Sequence, residues 1–206
     1  MIQVCRPLDE PPELAVERAK RLAIDWSPVE HFRPKSSYWW LTWTWDNLLF
    51  ACQWCNTKHK RSQFPLRDDA LRLAPEEDPP GREDALTIDP AGSVDPRAHI
   101  QFVRLASWWQ PIPRHGSEYG AATIRVLGLD QPPLRDRYQT HYAQVLAHLI
   151  DNVRHAMNEG DRDQVDRCWQ QMVATSRPER EFSGFAEDVI EQEFDEVTRR
   201  QWRIEL

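Results

Sequence analysis

From Pro132 onward, apolar residues recur every three to four positions: Leu134, Tyr138, Tyr142 or His141, Val145, Leu149, Val153 and Met157, closing at Gly160. That spacing lines one face of a helix, and a glycine just past the end supplies a left-handed cap. A second helix is predicted over Asp163–Ala174, burying Val165, Cys168 or Trp169, and Met172. A third is predicted over Gly184–Arg203, with Phe185, Val189, Ile190, Phe194, Val197 and Trp202 on one side. Six of the ten residues from Glu187 to Glu196 are acidic, which reads as a solvated helix face ahead of a docking surface for a basic partner.

The first half is less periodic. Residues 11–24 (PPELAVERAKRLAI) predict a short amphipathic helix, its prolines placed where a missing N–H costs little. Residues 67–98 are dense in Pro and Asp and predict a surface connection with a short strand near Leu86–Ile88. His99–Leu105 alternates apolar and polar residues, a strand signal. Ile124 and Leu127, followed by Gly128, favour a short glycine-capped helix. The chain divides into a helical lead-in (1–28), a motif block (29–67), a loop-rich α/β connection (68–131) and a helical C-terminal region (132–206), with no internal repeat.

At 206 residues the chain is near the upper end of one ordinary domain. A hydrophobic fraction of 40% and a charged fraction of 29% mark it as globular. It lacks the run of about 18 apolar residues that a membrane helix needs, and MIQVCRPLDEPPE lacks the apolar stretch of a secretory signal. A cytoplasmic location is therefore expected, with the four cysteines as reduced thiols or metal ligands. The net charge of −7 argues against a protein that grips nucleic acid over its whole surface. Basic charge is nonetheless gathered in residues 30–67, where six Lys/Arg face two acids, Glu30 and Asp46. So small a patch holds few phosphates and implies a partner or a weak intrinsic affinity for DNA.

That block, VEHFRPKSSYWWLTWTWDNLLFACQWCNTKHKRSQFPL, carries the legible chemistry. It holds Glu30 directly before His31, then Asn47, then Cys52-x-x-Cys55 leading into Asn56. Hydrolysing a phosphodiester requires a deprotonated water, charge neutralisation at the phosphate and help for the departing oxygen. His31 suits the base role, and the Asn47 side-chain carbonyl is a candidate to fix its tautomer. Glu30 and Asn56 offer the oxygen donors that Mg²⁺ or Mn²⁺ takes. Adjacent residues on a strand point to opposite faces, so Glu30 and His31 require a local bend to meet. TKHKRSQ after Asn56 predicts a helix start whose N–H groups favour phosphate, with Lys58, Lys60 and Arg61 adding charge there and Arg33 and Lys35 flanking the base. Five tryptophans between positions 39 and 54 read first as core around a small motif, and second as a surface for stacking bases. His99, His115, His141, His148 and His155 read as ordinary loop or helix residues.

The order Glu30-His31, Asn47, Cys52-Cys55-Asn56 resembles the HNH endonuclease family, whose catalytic unit is a ββα-metal finger. EHFRPKS, YWW, WDNLL, ACQWCN and FPL resemble in particular the HNH subunit of the Septu antiphage defence system, also found as an effector in some retrons. LTIDP, HIQF, ATIRVLGLDQPPLRDR and EFSGFA extend that likeness over most of the chain from about residue 28. The resemblance implies an α+β fold in which a small HNH finger is embedded in a mainly helical domain. It also implies metal-dependent DNA cleavage, with His31 as base and Glu30 and Asn56 as metal ligands, and an ATPase partner of the ABC/SMC type. Many relatives carry a further Cys-x-x-Cys before the acid-His pair, completing a four-cysteine zinc site. Here that stretch is RLAIDWSP, so Cys52 and Cys55 form half of a four-coordinate site. Either Cys5 or a histidine completes it, or the zinc has been lost, which is the favoured reading.

Two other functions fit the same residues. One is a catalytically silent HNH-derived module that binds an ATPase; the other is an RNA or tRNA nuclease using the same site. The isolated protein is expected to be poorly active.

Overall fold

The computed structural model describes residues 29–52 and 54–205; the helix predicted over residues 11–24 and Cys5 lie outside them. The described chain is mixed α/β and mostly helical, with two sheets of two strands each. It forms two compact units. One combines residues 29–100 with Pro113–Leu129, and the other combines Gln101–Ile112 with the chain from Asp130 on. The expected connection 68–131 is thus shared between them.

The first unit is built on a short hairpin. Strand β1 (Val29–His31) pairs antiparallel with β2 (Leu48–Phe50), Glu30 opposite Leu49 and His31 opposite Leu48. The intervening loop contains two 3₁₀ turns, Trp39–Leu41 and Trp45–Asn47. A π-helical segment follows at Trp54–Lys60. Phe32, Tyr38, Leu41, Leu49, Phe64 and Leu73 form the core beneath. Its aromatic members meet edge-on, Phe32 and Tyr38 each packing against Phe64 at 5.2 and 5.4 Å between ring centroids.

Helix α1 (Glu118–Leu127) packs in this unit, capped by the Ser117 hydroxyl, which accepts from the Gly120 N–H. Gly128 ends it with φ +62°, the glycine cap its position predicts. A side chain at Gly128 would meet the His59 ring, 2.4 Å from its Nδ1, so the helix end lies close against the π-helical segment. The strand expected near Leu86–Ile88 does not form. Thr87 and Ile88 are buried, and the Ile88 N–H donates to the Thr123 hydroxyl of α1 at 2.9 Å instead of to a neighbouring strand.

The second unit joins a hairpin to a helical array. Strands β3 (Ile100–Leu105) and β4 (Trp108–Pro113) are linked by two residues. The helices are α2 (Pro132–His141), α3 (Ala147–Glu159), α4 (Arg162–Val173), α5 (Ser183–Glu193) and α6 (Glu196–Trp202). A π-helical turn, Tyr142–Leu146, joins α2 to α3 and absorbs one residue. The buried positions therefore run Leu134, Tyr138, Leu146, Ile150, Val153 and Ala156, displacing the predicted Val145 and Leu149 by one. The predicted third helix breaks at Phe194, which leaves helical geometry, and Asp195 caps α6 by accepting from the Thr198 N–H. Val197 consequently faces water rather than the core. The acidic run is only partly a solvated face: Asp188 is buried and accepts from the Phe102 N–H at 2.7 Å, and Glu193 pairs with Arg154.

Candidate functional site

Strand β1 is regular, so the bend required between Glu30 and His31 is not found there. Glu30 turns inward and is buried, while His31 is half-buried. His31 Nε2 lies 3.0 Å from the Thr42 carbonyl oxygen. A carbonyl can only accept, which makes Nε2 the protonated nitrogen and leaves the lone pair on Nδ1. Thr42, not Asn47, therefore sets the tautomer. Asn47 is buried and clasps backbone: its Oδ1 accepts from the Arg33 N–H at 2.7 Å, and its Nδ2 donates to the carbonyls of Arg33 and Leu41 at 3.1 Å each. It fixes the loop that carries Thr42, and so acts on the imidazole at one remove.

Lys60 departs furthest from expectation. A lysine on the surface would meet phosphate; this one is buried, its Nζ donating to Glu30 Oε1 at 2.5 Å and to the His31 carbonyl oxygen at 2.7 Å. The ammonium ties the two motif residues together from the far end of the π-helical segment. Within that segment the Asn56 N–H donates to the Cys52 carbonyl and the Arg61 N–H to the Asn56 carbonyl, a five-residue step. Asn56 is half-exposed. The segment begins at Trp54, so the stretch after Asn56 lies inside it rather than at its start.

Of the five expected phosphate contacts, Lys35, Lys58 and Arg61 are exposed. Arg33 is not. Its Nε donates to Glu83 Oε2 at 2.9 Å, and its guanidinium lies over the rings of Phe32 and Phe64. Glu83, whose side chain is fully buried, also accepts from the Tyr38 hydroxyl at 2.5 Å and the Leu73 N–H at 3.0 Å. Burial and this carboxylate hold the Tyr38 hydroxyl well above the ordinary phenol range. Glu83 had no signal in the sequence, because one acid among several in a Pro/Asp-rich loop looks like any solvated charge.

The Cys55 N–H donates to Cys52 Sγ at 3.3 Å. Hydrogen bonding from Cys55 outweighs burial and pulls the Cys52 thiol down to about 6. Among the described residues no three His, Cys, Asp or Glu side chains gather as a metal would require, so those residues do not close a zinc site around Cys52 and Cys55. A hard cation needs fewer protein ligands, with water and phosphate completing its shell. Glu30 and Asn56 are of the right donor chemistry, with Oε1 of Glu30 taken by the Lys60 ammonium.

The tryptophans divide. Trp40 and Trp54 are partly buried, and Trp40 packs on the motif core. Trp39, Trp43 and Trp45 are 61%, 90% and 55% exposed, which overturns the core reading for these three. Each 3₁₀ turn buries its last residue, Leu41 or Asn47, and leaves its first, Trp39 or Trp45, exposed, with Trp43 between the two turns.

No helix among the described residues is long and apolar enough to cross a membrane. No protein-family model matches the chain, and no solved structure matches it. Over 124 residues, 52% of its length, the chain is 32% identical to the Septu protein PtuB of Bacillus mycoides (strain KBAB4), of whose length that match covers 39%.

Proposed function

We propose that the chain is a metal-dependent endonuclease of the HNH type, acting in antiphage defence together with an ATPase subunit. The observation that carries the chemistry is the His31 Nε2 contact with the Thr42 carbonyl. In the neutral ring it leaves Nδ1 to accept the proton of an attacking water, and it steadies the ring as positive charge develops. The hairpin β1–β2 followed by a helical segment has the element order of a ββα finger, and the likeness to a Septu protein supports the defence role.

In this reading Glu30 and Asn56 hold one Mg²⁺ or Mn²⁺ ion. When bound, that ion supplies charge neutralisation at the phosphate and the departing oxygen. Lys60 engages Oε1 of Glu30 and the His31 carbonyl, so its ammonium would share the Glu30 carboxylate with the ion or yield it. Asn47 holds the loop so that the imidazole keeps one orientation. Lys35, Lys58 and Arg61 attract the backbone of the strand to be cut.

The test is cleavage of plasmid DNA in Mg²⁺ or Mn²⁺, with and without an ABC/SMC-type ATPase subunit, using wild type and His31→Ala. Cation-dependent nicking that needs the ATPase and vanishes in His31→Ala is expected. Equal cutting by His31→Ala would remove the base, and cleavage of RNA but not DNA in parallel reactions would move the substrate class.

A further inference from the structure

We infer that Trp39, Trp43 and Trp45 form a stacking platform for unpaired bases, so that the strand cleaved is single-stranded or splayed beside the scissile phosphate. The inference rests on the nuclease reading and names the substrate class of that same site. Three exposed indoles within seven residues are an unusual surface, because burying each would be favourable and exposed apolar clusters mark places where something binds.

Their position decides what binds. Trp43 directly follows Thr42, whose carbonyl holds the His31 ring. Trp45 opens the 3₁₀ turn that ends at Asn47, whose carbonyl accepts from the Phe32 N–H, and the next residue, Leu48, lies opposite His31 in the hairpin. Whatever covers these indoles therefore lies within a residue or two of the contacts that hold the candidate base. A protein seated there would screen His31 from its substrate, whereas a nucleic-acid strand must come there to be cut. Counted over the β1–β2 loop and the π-helical segment together, the exposed charges Lys35, Lys58 and Arg61 stand against one exposed acid, Asp46.

Indole faces stack on any base, but only a base freed from its own neighbours offers a face. A chain of net charge −7 also has little to gain from long duplex contacts. Stacking then carries affinity that phosphate contacts cannot, and the dependence on salt is shallow. With three exposed cations engaged, the log–log slope for a single strand is at most about −2.

The experiment uses the full chain with His31→Ala as background, so that binding is read without cleavage. Fluorescence anisotropy of a labelled oligothymidine is compared with that of a duplex of equal length, for the parent and for added Trp43→Ala/Trp45→Ala and Trp43→Phe/Trp45→Phe. The expected result is preference for the single strand, loss of about tenfold or more in the double alanine variant, and recovery in the phenylalanine variant. The side chains face water, so thermal unfolding should be unchanged. Equal binding of single strand and duplex, or no effect of the alanines, would overturn the platform. So would a change in self-association by the alanine variant without any change in oligonucleotide binding, which would make the patch a protein contact. Failure of the nuclease reading is seen separately, as His31-independent cleavage or none in the assembled system.

Discussion

Lys60 Nζ reaches Glu30 Oε1 at 2.5 Å with both side chains withdrawn from water, so a cation already occupies the carboxylate to which a divalent metal is assigned. Removing one member of a buried ion pair leaves an uncompensated charge and typically costs about 3–5 kcal/mol. Lys60→Met should therefore unfold at markedly lower temperature in chelator. Millimolar Mn²⁺ should restore it and should stabilise wild type less, because there the ion competes with an ammonium already on Oε1. Thermal scans of both proteins with and without Mn²⁺ test this. A variant as stable as wild type, or indifferent to the cation, would separate Glu30 from any metal.

Asn47 makes three hydrogen bonds in a buried position. In Asn47→Ala the Arg33 N–H and carbonyl lose this partner, while the Leu41 carbonyl keeps the Thr44 N–H, a loss of about 2–4 kcal/mol. Urea unfolding should show it as a lowered midpoint with unchanged slope. Asn47→Asp should recover only part, since a carboxylate accepts from Arg33 but cannot donate to Leu41.

The Cys52 thiol, brought down from 9.0 to about 6 chiefly by hydrogen bonding from Cys55, should be mostly thiolate at neutral pH. Alkylation by iodoacetamide, followed by mass spectrometry across pH, should give a midpoint near 6 for Cys52, while buried Cys168 stays slow. Because folding depresses this pKa, the associated stability is complete above about pH 9, declines as pH falls and is gone below about 6. A Cys52 midpoint above 8 would show that Cys55 does not stabilise the thiolate.

Glu83 joins the β1–β2 loop to the core through Arg33, Tyr38 and Leu73. Glu83→Ala should cost about 3–5 kcal/mol, by stranding the largely buried Arg33 guanidinium, and should leave the β3–β4 unit folded. Hydrogen exchange should locate the loss in residues 29–88. Uniform exchange across the chain would mean that the two units unfold as one.

The helical half was legible because its cues are local. Gly128, Gly160 and Asp161 cap helices where glycine and aspartate should, and Val165, Trp169 and Met172 bury one face at helical spacing. Strand β4 was missed because Pro111 and Pro113 argue against a strand, yet a two-stranded hairpin leaves edges that tolerate them. In the motif, residue types were readable but partners were not. Lys60 is thirty positions from Glu30, and Glu83 is fifty from Arg33. The indoles were misjudged for a related reason: apolar character does not reveal which way a 3₁₀ turn faces.

The widened winding at Trp54–Lys60 bears on how such chains are aligned and engineered. Broad turns of this kind arise when a helix accommodates one surplus residue, often at a working site. Deleting a single residue there would let the segment tighten to ordinary pitch and rotate everything downstream by about 100°. The amine would swing off the carboxylate while every motif letter survived. Two chains spelling the same motif can thus differ in whether this latch exists, and the length of the stretch after the second cysteine is what distinguishes them.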